Sequence, residues 1–302
     1  PWCVGLWRIR ASVLMKHFGK RTWTGTLAAA GLLVSAGSVL SGPSVASLNV
    51  CTDQLAMLLA EPGQLKSVSN LARDPTLSSL HEQARHYPTN KGVAEEVLVV
   101  KPDLVVTGTF SLHNTTGLLK RLGFPVEEFQ YSQSVETIAS DIRRMGRLLE
   151  QTSKAEAMAS RFERDMAGLE PLACSRKPVA LFYGARGVAL GTGTLAHAAM
   201  QAAGFTNMAA ERGYQGVASF PLELLVRDPP DLIILPKPTP GAPALADEIL
   251  SHPALEKLKT TVTGTLSRPA SLSCGGPFTM QAIHELRAYA PSLRPCRKAP
   301  GS

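Results

Sequence analysis

The chain has 302 residues, 44% hydrophobic and 18% charged, with a formal net charge of +7. That apolar content supplies a core for two domains or one large one and excludes global disorder. A polytopic membrane protein is excluded too, because the one long apolar run lies near the N-terminus. The first 46 residues hold Arg8, Arg10, Lys16, Lys20 and Arg21 and no acid. Of the 31 bases, the other 26 face 24 acids and are scattered, so no nucleic-acid partner is expected.

Met15 opens a short basic stretch through Arg21, and residues 1–14 are expected to lie upstream of the true start. Thr26 to Leu40 is apolar and uncharged, about 15 residues against the roughly 20 that a spanning helix needs. Ser44-Val45-Ala46 then offers the small residues a signal peptidase reads. The segment 1–46 is therefore read as an upstream piece plus a secretory signal peptide, cut after Ala46. Lipid attachment at Cys51 is disfavoured, since Asn49 and Val50 stand where small residues are wanted.

Beyond this leader, strands and helices alternate. Val45 to Val50 predicts a strand, Asp53 to Ala60 a helix and Leu65 to Ser69 a second strand. Asp103 to Thr107 is a continuous apolar strand stopped by Gly108, followed by a helix at Leu112 to Leu122 and a strand at Pro125 to Phe129. This alternation predicts an α/β lobe with a parallel sheet over 47–133. From Ser134 to Leu169 the apolar residues recur at helical steps (Ile138, Ile142, Met145, Leu149, then Ala155, Ala159, Phe162, Met166), which predicts a helical connector over 134–170. Ser153-Lys154-Ala155-Glu156 has the form of a capping box, so a restart near Thr152 is expected. Alternation resumes over 171–302. Strands are predicted at Val179 to Tyr183, Gly187 to Leu190, Leu232 to Leu235 and Thr261 to Leu266, and helices at Thr194 to Ala203 and Phe278 to Tyr289. The plan is lobe, connector, lobe.

The two lobes echo one another. Glu95-Glu96-Val97-Leu98-Val99-Val100-Lys101-Pro102-Asp103-Leu104 and Glu223-Leu224-Leu225-Val226-Arg227-Asp228-Pro229-Pro230-Asp231-Leu232 share the spacing from Glu to Pro-Asp. Each reads as a short helix, a Pro-bearing turn and a buried strand.

The expected mature chain holds Cys51, Cys174, Cys274 and Cys296, and an exported chain can oxidise them. Four cysteines allow three connectivities. Cys174 precedes the first strand of the second lobe and Cys296 follows its last helix, so a bridge would pin the C-terminus. Cys51 and Cys274 follow strands in opposite lobes and can either pair across a cleft or stay free.

Motifs for chemistry are missing. There is no Walker sequence, no complete dinucleotide fingerprint, no Gly-x-Ser-x-Gly and no zinc spacing of Cys and His. The informative residues follow the strands instead: Thr52, Arg73, Gly108, Thr109, Phe110 and Tyr131 in the first lobe, and Tyr183, Arg186 and Lys237 in the second. Ligands of open α/β sheets bind outside the carboxyl ends of strands. Aromatic, Arg and Gly residues gathered there predict a small-molecule cleft between the lobes.

Several motifs resemble a known family. Ser47-Leu48-Asn49-Val50-Cys51-Thr52-Asp53-Gln54-Leu55, Leu71-Ala72-Arg73-Asp74-Pro75, Lys101-Pro102-Asp103-Leu104-Val105, Leu122-Gly123-Phe124-Pro125-Val126 and Cys274-Gly275-Gly276-Pro277 are similar, in order and spacing, to the substrate-binding proteins of ABC importers for iron complexes, haem and corrinoids. The resemblance covers most of residues 47–290. It implies two Rossmann-like lobes joined by a long, stiff helix, a cleft for a metal chelate (iron-siderophore, haem or corrinoid), a periplasmic monomer without a cofactor of its own, and no catalysis. It also implies docking on a permease dimer through one glutamate per lobe, here Glu95 and Glu223. The family often carries a Trp where Tyr214-Gln215-Gly216-Val217 stands here. Two rival readings use the same cleft: an exported thiol enzyme acting through Cys51 or Cys274, and a receptor for free zinc or manganese.

Overall fold

The computed structural model describes residues 42–110, 112–131, 134–236, 245–256, 258 and 260–297. Most of the expected signal peptide and Lys237 lie outside the described residues. No described helix is long and apolar enough to cross a membrane.

The first lobe is one parallel sheet in the order β3-β2-β1-β4-β5, built from β1 (Val45–Ser47), β2 (Leu65–Ser69), β3 (Thr89–Asn90), β4 (Leu104–Gly108) and β5 (Val126–Phe129). Between the strands run α1 (Val50–Leu59), α2 (Ala94–Val100) and α3 (His113–Arg121). Helices on both faces bury the strands, so β4 is apolar almost throughout rather than alternating. The first strand is half as long as its apolar run predicts. Asn49 ends it by accepting a hydrogen bond from the Cys51 amide (2.9 Å), which starts α1 at Val50.

The expected cut after Ala46 does not suit this fold. Val45 and Ala46 are fully buried in the middle strand, paired with Leu65 and Ser67 on one side and Leu104 and Val105 on the other. Ser44 donates its amide (2.8 Å) and hydroxyl (2.7 Å) to Asp103. Removing residues through Ala46 would take two thirds of the central strand and both donors, so a cut compatible with the sheet lies upstream of Ser44.

The connector is α4 (Ile138–Leu148) and α5 (Thr152–Ala167). The restart falls at Thr152, but no capping box forms: Gln151 is the cap residue and Ser153 lies inside the helix. Glu156 is occupied by Arg143, which also grips Glu163, so one guanidinium ties α4 to α5. The helices pack closely at Gly146, where a Cβ would come within 2.1 Å of the Ala155 Cβ. The buried face of the connector (Ile138, Ile142, Met145, Phe162) joins one apolar cluster with Val45 of the first lobe and Leu232 of the second.

The second lobe contains β6 (Val179–Gly184), β7 (Val188–Leu190), α6 (Leu195–Ala202), β8 (Thr206–Asn207), α7 (Met208–Glu211), β9 (Val217–Ser219), α8 (Leu222–Arg227), β10 (Leu232–Ile234), α9 (Pro253–Glu256), β11 (Val262–Gly264) and α10 (Thr279–Ala288). Its sheet runs β11-β10-β6-β7-β9, with β8 also beside β6. β11, β10, β6 and β8 are parallel as the alternation predicts, whereas β7 and β9 are antiparallel, so this sheet is mixed. Thr194 caps α6 by accepting from the His197 amide (3.1 Å).

The echoed Pro-Asp turns do the same work in both lobes. Asp103 holds Ser44 at the entry to β1, and Asp231 holds the Val179 amide (2.8 Å) at the start of β6. In each case the aspartate's own amide returns a hydrogen bond, to the Ser44 carbonyl and the Val179 carbonyl.

Candidate functional site

The carboxyl ends of the second-lobe strands enclose a cavity of about 330 Å³, near the lower end of the ~300–1,000 Å³ typical of small-molecule pockets. Its wall is Phe182 to Ala185 from β6, Val188 and Leu190 from β7, Ile234 to Pro236 from β10, and Leu266 and Pro269 beyond β11. Among the described residues no ionisable side chain other than the Tyr183 phenol belongs to that wall, which is otherwise apolar.

The first lobe also exposes aromatic surface at its strand ends. Phe110 is 82% exposed and Tyr131 is 43% exposed, with ring centroids 6.0 Å apart at a tilt of 39°. They follow β4 and β5, and Thr109 ties the two strand ends together: its amide donates to the Phe129 carbonyl (2.9 Å) and its hydroxyl to Gln130 Oε1 (3.1 Å). Apart from their contact with each other, these rings leave flat apolar faces in solvent.

The other expected site residues divide. Arg186 is exposed beside Ala185 of the wall and sits in left-handed backbone (φ 58°), followed by Gly187 (φ 69°). A non-glycine residue there costs on the order of 1–2 kcal/mol, and the turn is what sends β7 back antiparallel to β6. A Cβ on Gly187 would stand 3.0 Å from the Tyr183 hydroxyl. Tyr183 touches the cavity, but its ring is 1% exposed and its hydroxyl donates to the Phe220 carbonyl (3.4 Å). Burial raises that phenol's pKa. It is a support for the wall, not the stacking surface expected of it.

Thr52 is likewise a structural residue. It is 1% exposed, donates to the Asn49 carbonyl (2.9 Å) and shares a hydrogen bond with Ser47 (2.8 Å). Gly108 serves the same helix start: a Cβ there would meet the Asn49 side chain at 3.1 Å. The Arg73 guanidinium is held within its own lobe by the carbonyls of Tyr87 (2.7 Å) and Ala84 (3.4 Å). Phe110, Tyr131 and Arg186 are thus exposed after their strands, Tyr183 lies in the cavity wall, and Thr52 and Gly108 serve the start of α1.

The apolar wall carries no signature in the sequence. Phe182, Ile234 and Leu266 look like ordinary strand core, and nothing in their spacing says that their ends open on a cavity. Asp53 carries no such signature either, and is fully buried against the Ser69 amide (3.0 Å) and hydroxyl (2.5 Å). Burial outweighs those hydrogen bonds and one from Ser47, and raises the Asp53 pKa to about 7.

Both cysteine pairs are joined: Cys51 to Cys274, with Cα atoms 5.2 Å apart, and Cys174 to Cys296, at 3.9 Å. With its sulfurs in a bridge, neither Cys51 nor Cys274 is a thiolate nucleophile. Among the described residues no three His, Cys, Asp or Glu side chains gather as a metal site. Glu95 and Glu223 are exposed at the starts of α2 and α8, and neither has an ion-pair partner among the described residues.

Known proteins share this architecture. The haem-binding protein RhuT of Roseiflexus sp. RS-1 superposes with a TM-score of 0.66 at 21% identity, over 82% of this chain and 97% of that one. A periplasmic haem-binding protein of Pseudomonas aeruginosa gives 0.64 at 21% identity, over 85% and 96%. An ABC-type Fe3+-hydroxamate transport protein of Saccharomonospora viridis gives 0.59 at 17% identity, over 82% and 93%. At such identities the likeness shows the fold. No curated protein matches the chain. The family described as periplasmic binding protein matches residues 45–266, from the first strand of one lobe to just past the last strand of the other, and the chain belongs to that family.

Proposed function

We propose that the chain is a periplasmic receptor that captures a small metal chelate between its lobes and hands it to an ABC-type permease, without chemistry of its own. The observation that carries this reading is the apolar cavity at the strand ends of one lobe, matched by the exposed Phe110 and Tyr131 at the strand ends of the other. Family membership, and the haem and Fe3+-hydroxamate proteins that share the fold, support it. An iron-siderophore, a haem or a corrinoid each offers an apolar face for such a wall. Arg186, at the edge of the wall, suits a carboxylate or phosphate on the rim of the ligand.

Purified protein titrated with haemin, a ferric hydroxamate and cyanocobalamin, followed by absorbance and calorimetry, tests the reading. Binding of one of them is expected, and weakened by Phe110→Ala. If none of the three binds, the receptor reading fails.

Docking uses Glu95 and Glu223. Each is exposed, and each has an exposed apolar residue three positions on, Leu98 and Val226. A surface ion pair is worth only about 0.2–1 kcal/mol, so two contacts act together. Glu95→Arg with Glu223→Arg is expected to leave chelate binding intact and to abolish uptake by cells. Normal uptake by that double variant would remove the docking assignment.

A further inference from the structure

The first lobe carries a patch of apolar surface at the end of its sheet away from the strand ends that bear Phe110 and Tyr131. β1, β2, β4 and β5 run parallel and so start at one edge, and α2 and α3, which lead into β4 and β5, end at that edge. There Val99 is 83% exposed, and Val100, Leu118 and Leu122 are exposed too. α2 packs beside α3, and Leu118 and Leu122, four positions apart, lie on one side of the end of α3. Val97 and Leu119 already supply the core beneath. The patch is not a demand of the fold. In the echoed α8 the positions of Val99 and Val100 are held by Arg227 and Asp228, which pair with each other, and Asp228 pairs with Arg212 as well. We propose that this edge of the first lobe rests on an anionic bilayer surface, with the four apolar side chains in the headgroup layer and Lys66, Lys101 and Arg121 on lipid phosphates.

Charge at the edge suits that partner. Lys66 is the second residue of β2, Lys101 caps α2 and Arg121 ends α3. All three are exposed, and none has an ion-pair partner among the described residues. Two acids of the same region are already engaged, Asp103 by Ser44 and Glu128 by Lys120. Binding to a bilayer surface grows with the apolar area that enters it and with the bases that meet anionic lipid, each base contributing about fivefold. An exposed apolar patch rimmed by free bases meets both conditions.

The course of the chain brings the same edge to the membrane. Val100 lies three positions before Asp103, whose carboxylate holds Ser44 (2.8 and 2.7 Å), so the chain that precedes β1 enters beside the end of α2. Thr26 to Leu40, the apolar run read as a signal peptide, precedes it by four residues, at most about 18 Å of extended chain. A signal peptide engages the bilayer during export, and so delivers this edge to the lipid first. The run is a poor occupant of the patch itself. The segment before it carries five bases and no acid, and a basic leader gains nothing from a basic edge, whereas anionic lipid suits both. Phe110 and Tyr131, at the other ends of β4 and β5, then face away from the lipid.

Protein purified after export, sedimented with vesicles of phosphatidylglycerol and phosphatidylethanolamine or of phosphatidylcholine alone, tests the contact without any chelate. The native chain is expected to pellet with the anionic vesicles and to be released by high salt. Val99→Glu with Leu122→Glu is expected to weaken that partition by about tenfold or more. Lys66→Gln with Lys101→Asn is expected to weaken it by roughly tenfold, asparagine being at home in the left-handed backbone of position 101 (φ 47°). All four positions are exposed, so both variants should keep the native melting temperature. The proposal is overturned if the native chain stays in the supernatant, if it pellets equally with phosphatidylcholine, or if both double variants pellet as the native chain does. Self-association that Val99→Glu with Leu122→Glu abolishes, with no lipid binding, would give the patch to a second copy of the chain. Uptake lost in that variant with vesicle binding unchanged would give it to the permease. Either result overturns the bilayer contact.

Discussion

The two lobes begin alike and end differently. In both, a Pro-Asp aspartate fastens the entry of the first strand. In the first lobe that strand passes into a helix within three residues, and the helix start covers the strand ends with Asn49, Thr52 and the buried Asp53. In the second lobe the equivalent strand, β6, turns back through Arg186 and Gly187 into antiparallel β7, and the next helix starts only at Leu195. With no helix start over them, the ends of β6, β7 and β10 stay open and apolar, and there the cavity forms. One lobe supplies a preformed wall, the other a polar-capped sheet with two aromatic rings at its margin. A duplicated plan makes a one-sided pocket by changing the chain's course after a single strand.

That contrast can be tested by variants that strike one lobe and spare the other. The largest effect is expected for Cys174→Ser with Cys296→Ser. This bridge ties the segment before β6 to the chain beyond α10, and its loss should lower unfolding free energy by about 2–5 kcal/mol. Denaturant titration measures it, and hydrogen exchange should rise in the second lobe first. An equal rise in both lobes would mean that the lobes unfold as one unit.

Next comes a pH dependence confined to the first lobe. The Asp53 carboxyl has a folded pKa of about 7 against an ordinary 3.8. The folded state thus holds a proton that the unfolded state releases first. This group's contribution to stability is highest below about pH 4, falls as pH rises through 7, and is level above that. The span is a few kcal/mol. Melting temperature should drop between pH 5 and pH 8, and Asp53→Asn should flatten the drop. A slope that survives Asp53→Asn would place the titrating group elsewhere.

The smallest contrast compares the twin aspartates. Asp231 is 8% exposed and accepts from Arg176 (2.7 and 2.8 Å) as well as from the Val179 amide. Asp231→Ala is expected to cost roughly 2–3 kcal/mol. Asp103 lies at the surface with Ser44 as its partner, and Asp103→Ala should cost clearly less, because water can replace the lost partner. Equal losses would show that the shared backbone pairing, and not the surroundings, sets the value of the motif. The N-terminus of the exported protein bears on the same motif: mass spectrometry should find Ser44 retained.

Much of this was legible in the residues. β2 falls at Leu65–Ser69 as predicted, and β4, β5, α4, α5 and α10 fall within a few residues of their patterns, because apolar runs and three- and four-residue steps report directly on burial. The short β1 was overextended, since Val45 to Val50 is apolar enough for a strand and only Asn49's capping of α1 stops it. The capping box at Ser153 failed for a related reason: Glu156 had a stronger partner in Arg143, 13 residues away in sequence. The alternation of strands and helices and the echoed turns could be drawn from local pattern and chain order, and the two cysteine pairings only as open possibilities; the antiparallel β7 and β9 could not. The sequence could not decide which strand-end residues face a ligand. Thr52 looks like a site residue by position, yet it is buried and its hydroxyl is spent on the Asn49 carbonyl and Ser47, while Phe182, Ile234 and Leu266 read as core and line the cavity. Local patterns record whether a residue is apolar and how often it recurs. Whether a strand end is covered by a helix or left open depends on the direction the chain takes next, and on contacts between residues far apart in sequence, which only the folded structure brings together.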